Sequence, residues 1–187
     1  MPHVIAIHGG AGLIRRDDVS PGREQAATAS LRRVITEGSA ELQRGGSALQ
    51  VVVDAVAALE DDPLFNAGRG AVLAASGQVE LEAAVMDGSR RAGAVAGVRT
   101  VRNPVHLAAA VRAHTPHVMV IGEGAEALAT ELGLPRVEPG HFVVPERLSQ
   151  LEVARASGRI HLDHGGAGGH GTVGAVALDL EGHLAAA

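Results

Sequence analysis

A glycine-rich run, His164-Gly-Gly-Ala-Gly-Gly-His170-Gly171, separates a long mixed segment from a clean strand pattern, Thr172–Asp179. A run of this composition supplies no side chains to a core and reads as a flexible linker. A polar helical patch from residue 145 and then Gly158 precede it, so the linker is assigned to 144–171. Residues 1–171 then form one region and 172–187 the start of another. Glycine at 171 allows backbone conformations closed to other residues, so its carbonyl can be presented to the Thr172 hydroxyl. A threonine whose own α-amine becomes free holds a nucleophile and a base in one residue, because an amine titrating near ~8 accepts the hydroxyl proton at neutral pH. A Gly-Thr pair at a strand start is commonplace, however, and spacing alone does not select this chemistry.

The rest of the chain alternates between two periodicities. Val4–Ile7 is a β-branched run feeding the glycine loop His8-Gly9-Gly10-Ala11-Gly12. Helical spacing covers 23–43, and Ser47 is placed to cap a second helix, Ala48–Glu60, which Pro63 stops. Residues 61–70 form a loop. Two strand-like runs follow, 71–75 and 78–86, with Ser76-Gly77 as a hairpin signal. A strand is expected over 92–101, and Asn103-Pro104 opens a helix over 105–113, since Pro suits the first helical position. A strand over 118–121, a helix over 124–132, and a final turn and strand at 180–187 complete a layered arrangement of strands and flanking helices. The pattern stops inside a strand, which suggests an incomplete protein.

Two Phe, no Trp and no Tyr leave the core to Ala, Val, Leu and Ile, and 25 Gly let backbones approach closely. A net charge of -5, scattered Arg and few aromatics argue against a nucleic-acid partner. The absence of Cys removes disulfides, thiolate catalysis and Cys-ligated zinc. There is no basic n-region ahead of Val4 and no apolar run of membrane-spanning length, so the expectation is a cytoplasmic protein without membrane association.

Four collinear motifs carry a resemblance. Ile5-Ala-Ile-His-Gly-Gly-Ala-Gly12, Leu59-Glu-Asp-Asp-Pro-Leu-Phe-Asn-Ala-Gly-Arg-Gly70, Val79-Glu-Leu-Glu-Ala-Ala-Val-Met-Asp-Gly88 and Thr172-Val-Gly-Ala-Val-Ala-Leu-Asp179 occur in the order found in the isoaspartyl peptidase/plant-type asparaginase family. From about residue 3 to 187 the chain resembles that family of N-terminal nucleophile hydrolases. The resemblance implies an α+β fold, the four-layer αββα sandwich with largely antiparallel sheets, incomplete at the C-terminus of this chain. It implies that 1–171 is the α-subunit region and 172–187 the start of the β-subunit, separated by self-cleavage between Gly171 and Thr172.

By the same resemblance Thr172 is the catalytic nucleophile and Asn66 supports it in the cleft. Gly9 and Gly10 match the glycine loop near the scissile bond. The backbone carbonyls of Leu59, Glu60, Asp62, Phe65, Ala67 and Arg69 match a loop that wraps a structural sodium ion, a hard cation suited to carbonyl oxygens. The implied activity is hydrolysis of L-asparagine and β-aspartyl dipeptides without an organic cofactor, in a homodimer of processed αβ units. Family features that follow this region, a second threonine by a glycine pair, an Arg/Asp substrate clamp and a Thr-Gly oxyanion segment, have no counterpart among these residues. The alternative is a truncated fragment without catalysis, serving as an interaction module or without function.

Other readings are weaker. His161, Asp163, His164 and His170 could offer zinc ligands, but their spacing gives no helical pair and glycine supplies no orienting partners. His8-Gly9-Gly10 would suit an esterase oxyanion loop, yet no G-x-S-x-G elbow is present. Gly9–Gly12 also lacks the Lys and the spacing of a phosphate loop.

Overall fold

A computed structural model describes residues 2–10, 20–157 and 172–187. The residues between these ranges, including Gly171 and the four candidate zinc ligands of the glycine-rich segment, lie outside the described residues.

Six strands form one mixed sheet in the order β1-β5-β6-β2-β3-β4. They are β1 (Val4–His8), β2 (Leu81–Asp87), β3 (Ala92–Val98), β4 (Met119–Ile121), β5 (Gly174–Leu178) and β6 (Leu184–Ala186). Every pairing is antiparallel except β3 with β4. The hairpin β5–β6 therefore sits inside the sheet, between β1 and β2. The fold is α+β, as expected.

The helices are α1 (Pro21–Gln43), α2 (Ala48–Glu60), α3 (Pro104–His114), α4 (Gly122–Glu131) and α5 (Pro145–Ser157). Ser20 and Ser47 cap α1 and α2 by accepting from the N–H groups of Arg23 and Gln50. On one face α1 lies against β1, α2 against β5 and β6, and α3 against β2 and β3. Small residues permit the close approach that the composition implied. A Cβ on Gly93 of β3 would stand 2.2 Å from the Ala108 carbonyl of α3. Val52, Leu59, Val95, Leu107 and both Phe side chains, Phe65 and Phe142, fill this layer.

The opposite face carries apolar side chains without cover among the described residues. Val4, Val176, Leu184, Met86, Met119 and Ile121 are all exposed, the last to 64%. Cα pairing aligns them across the sheet, with Val176 beside Ala186, and Ala186 beside Met86.

Three local expectations change. Residues 71–75 and 78–80 are not strands, although the turn at Ser76-Gly77 forms, with Gly77 N–H donating to Ala74 and Gln78 N–H to the Ser76 hydroxyl. Both sides of β2 are already occupied, by β3 and β6, so 71–75 cannot pair with it as a hairpin partner. The strand over 92–101 ends at Val98, and Val101 makes an isolated bridge to Arg136. Within the segment expected as a linker, Pro145–Ser157 is helix α5.

Candidate active site

Thr172 stands immediately before β5, exposed, while Val173 beside it is buried. It lines a cleft of 570 Å³ that Asn66, His8, Glu60 and Gly68 also line. The cleft's lining runs from His8 at the end of β1 and Gly174 at the start of β5 to Ala83 of β2 and Val95 of β3. Two of the sequence-derived residues, Thr172 and Asn66, thus share one cavity although they lie far apart in the chain.

Asn66 is held by its own loop. Its Oδ1 accepts from Val72 N–H at 2.8 Å. Only the amide oxygen can pair with a backbone N–H, so the NH2 end is the donor left for other partners. The loop is fixed from several sides. Asp62 accepts from the Ser30 hydroxyl at 2.5 Å and from Leu64 N–H at 3.0 Å. Asp61 pairs with Arg102 at 3.1 Å. Arg69 N–H donates to the Glu60 carbonyl at 2.7 Å and closes the loop on itself. Gly68 has φ +44, and a Cβ there would lie 2.4 Å from that carbonyl. The acidic residues at this helix end are therefore internal hydrogen-bond acceptors, not merely solvated charges.

Glu60 shows what sequence reading missed. Asn103 occupies the cap position of α3 but does not cap it; its Nδ2 donates to the Ala57 carbonyl at 3.2 Å. The buried Glu60 carboxyl takes the cap role and accepts from Val105 N–H at 3.1 Å. Burial pushes this carboxyl up to about 8, against the lowering by Val105 N–H and Asn103, while Asp61 adds to the rise. A glutamate ending one helix and capping another cannot be told from a surface glutamate by spacing.

Gly9 and Gly10 follow β1, directly after His8, which lines this cleft. A Cβ on Gly9 would meet the Phe65 ring at 2.6 Å and Leu31 at 3.3 Å. The crowding at Gly9 thus comes from packing of the Asn66 loop. Gly10 has φ +125, in the region that favours glycine. His8 covers Gly174, where a Cβ would lie 2.6 Å from Nε2. Contact of this kind between β1 and β5 brings the glycine loop to the residues that follow Thr172.

Asp179, at the other end of β5, is a second residue that sequence reading passed over. Its buried carboxylate accepts from Ala48 N–H at 3.1 Å, Glu181 N–H at 3.0 Å and His183 N–H at 2.9 Å. Burial raises its pKa, but those N–H donors and nearby His183 outweigh burial and hold it below the usual carboxylate range. It ties the first turn of α2 to the β5–β6 hairpin.

Comparison with known proteins finds relatives along most of the chain. The isoaspartyl peptidase of Salmonella typhimurium is 50% identical over 98% of this chain and 61% of its own length. That of Escherichia coli is 51% identical over 98% of the chain and 59% of its own length. The plant-type L-asparaginase of Thermococcus kodakarensis is 45% identical over 81% of the chain and 47% of its own length. The chain thus spans about three fifths, or less, of these relatives. The sequence model of the family described as asparaginase matches residues 1–187, and the chain belongs to that family.

Proposed function

We propose that the protein is a self-processing amidohydrolase that cleaves L-asparagine and β-aspartyl dipeptides through Thr172, freed as an N-terminus by cutting after Gly171. The observation that carries this reading is the shared cleft of Thr172 and Asn66. The names of the relatives, isoaspartyl peptidase and plant-type L-asparaginase, supply the substrate class.

The chemistry is acyl transfer. The Thr172 hydroxyl first attacks the Gly171 carbonyl; the C–N bond breaks as the ester forms, which frees the α-amine, and water then cleaves the ester to release the Gly171 carboxylate and restore the hydroxyl. In the mature site that amine accepts the hydroxyl proton, and Oγ attacks the side-chain amide of asparagine or the β-linked peptide bond. Ammonia or an amine leaves, and water releases the aspartyl group. The Asn66 NH2 acts as a donor toward the nucleophile. Stabilisation of the oxyanion and the hold on the substrate's α-groups would fall to the features that the resemblance places after this region.

The open apolar face belongs to the same proposal. Further sequence of the kind that completes the relatives' length would lay a second sheet over Val4, Val176, Met86 and Ile121, giving the four-layer αββα sandwich. The carbonyls of Leu59, Glu60, Asp62, Phe65, Ala67 and Arg69 run from the end of α2 through the loop after it; those of Leu59, Glu60 and Asp62 already accept one backbone N–H each, and a second lone pair on each would be left for sodium. This ion would brace the Asn66 loop and take no part in bond making. The working form is a homodimer of processed αβ units in the cytoplasm, without an organic cofactor.

Mass spectrometry of the protein expressed from its native gene tests the reading. We expect a fragment beginning at Thr172, release of aspartate from β-aspartyl dipeptides, and an intact, inactive chain for Thr172→Ala. A single persistent chain that still hydrolyses those dipeptides would refute the mechanism. The same open face favours a second reading, an interaction module without catalysis, which predicts no cleavage and no turnover.

A further inference from the structure

Helix α5 is the last described element before the segment that leads to Thr172, and it is held by a buried cation. Arg147, in its first turn, is only 6% exposed. Its Nε donates to the Gly70 carbonyl at 2.6 Å and its Nη1 to Gln150 Oε1 at 2.8 Å. Both partners are neutral, and burial pulls the guanidinium pKa down from its usual value. Among the described residues no carboxylate hydrogen-bonds Arg147, and Glu146 acts on it only as a nearby charge; a cation buried in this way is a costly fastening for a helix, and an apolar side chain of similar volume would commonly serve stability as well or better.

What this side chain does hold is Gly70. The Gly70 N–H donates to the carbonyl of Phe142, a fully buried residue just ahead of α5, at 3.0 Å. Both polar groups of the Gly70 backbone are therefore taken by the stretch 142–147. Gly70 has φ +106, and a Cβ there would meet the Pro63 carbonyl at 2.6 Å, so the turn has little freedom. Two residues on, Val72 N–H fixes the Asn66 amide. Other contacts bind α5 to the same region: Arg155 donates to the Ala75 carbonyl at 2.7 Å, and Arg23 links Glu146 to the Leu64 carbonyl.

We propose that Arg147 is a positioning residue that couples α5 to the orientation of Asn66. The proposal rests on the function given above. Arg147 touches neither nucleophile nor substrate. It sets the peptide at Gly70, which places Val72 N–H, which in turn aims the Asn66 donor. Because this chain of contacts lies on one side of the cut, it persists after cleavage and affects both self-processing and hydrolysis.

The test uses Arg147→Met and Arg147→Lys in the protein expressed from its native gene. The readouts are the rate at which the Thr172 N-terminus appears, kcat and KM of the processed fraction on a β-aspartyl dipeptide, and the melting temperature. Methionine keeps the bulk and loses the donor, whereas lysine keeps a single donor for the Gly70 carbonyl. For Met we expect processing and kcat to fall by a factor on the order of ten to a hundred, as for a small misplacement of a catalytic group. KM and melting temperature should hardly move, and Lys should recover part of the loss. Met processing and turning over like the unaltered protein would overturn the proposal, as would losses that merely follow the folded fraction. If Met does not fold, Lys decides: a lowered kcat at unaltered KM and folded fraction supports the proposal, and normal kinetics overturn it. An unaltered protein that never yields a Thr172 terminus refutes the function itself.

Discussion

Replacing Asp179 by Asn probes the joint between the β5–β6 hairpin and the rest of the sheet. The carboxylate serves three backbone donors, with Ala48 N–H on Oδ2 and Glu181 and His183 N–H on Oδ1. An amide has one acceptor oxygen, so one side of the side chain must turn an NH2 toward a donor. The cheaper orientation keeps the hairpin pair and abandons Ala48 at the start of α2. Hydrogen bonds to a charged group contribute about 1.5–3 kcal/mol each, and the survivors lose their charge assistance, so the loss should total about 2–4 kcal/mol. For a chain of this length that corresponds to roughly 5–15 °C in melting temperature. The pH dependence has a definite sign. The folded carboxyl lies below the usual Asp range, so its contribution is complete above the unfolded value near ~3.9 and is lost as pH falls through the folded one. Asn does not titrate. The gap between the two melting temperatures should be open at about pH 5 and above and narrow as pH falls below about 4. Thermal unfolding followed by circular dichroism across that range is the assay, with Asp54→Asn on the exposed side of α2 as a control that shifts stability by less than ~0.5 kcal/mol. A gap under about 1 °C at pH 7, or one that persists undiminished at pH 3, would refute the argument.

Asn66→Asp keeps an oxygen for Val72 N–H and removes the NH2 donor; we expect a stable protein whose Thr172 terminus appears slower by a factor on the order of 10²–10³, measured by mass spectrometry. Asn66→Ala should slow processing equally and also lower the melting temperature, because Val72 N–H loses its acceptor. Gly93→Ala places a methyl 2.2 Å from the Ala108 carbonyl and 2.5 Å from Arg112 N, both backbone atoms. It should destabilise by about 1–3 kcal/mol or more through overpacking, read by denaturant unfolding.

Local signals made much of the framework legible. Ser47 does cap α2 and Glu60 does end it; β1, β4, β5 and the β5–β6 turn lie where β-branched runs and glycine punctuation put them. Errors fell where tertiary competition decides. Residues 71–75 have strand composition, but they follow a positive-φ glycine and find no place beside β2, because β6, from the far end of the chain, occupies it. The helical patch from 145 reads as polar and solvated, so nothing in its spacing distinguishes a buried Arg147 from an exposed one. The site divides in the same way. A nucleophile at Thr172 is suggested by the junction of linker and strand, whereas its pairing with Asn66 came only through resemblance, since no periodicity relates a loop after α2 to the start of β5.

The two buried charges on either side of the candidate cut, Arg147 and Asp179, share one design. Each satisfies backbone groups of a distant segment: Arg147 the carbonyl of Gly70, Asp179 the N–H of Ala48. A chain that is cut between residues 171 and 172 loses the covalent constraint on both new ends, and with it the loop-closure advantage that kept them near one another. Packing of small residues in β5 is a weak substitute, because Ala175 and Ala177 bury little area each. Directional bonds from a buried ionised group fix position whatever they add to stability, so a cut chain has reason to place them close to its ends. The cleft then depends on two anchors: α5 on the Asn66 loop, and the β5–β6 hairpin on α2. Weakening the first should disturb Asn66 while Thr172 stays in the sheet, and weakening the second should loosen Thr172 while Asn66 keeps its bond to Val72.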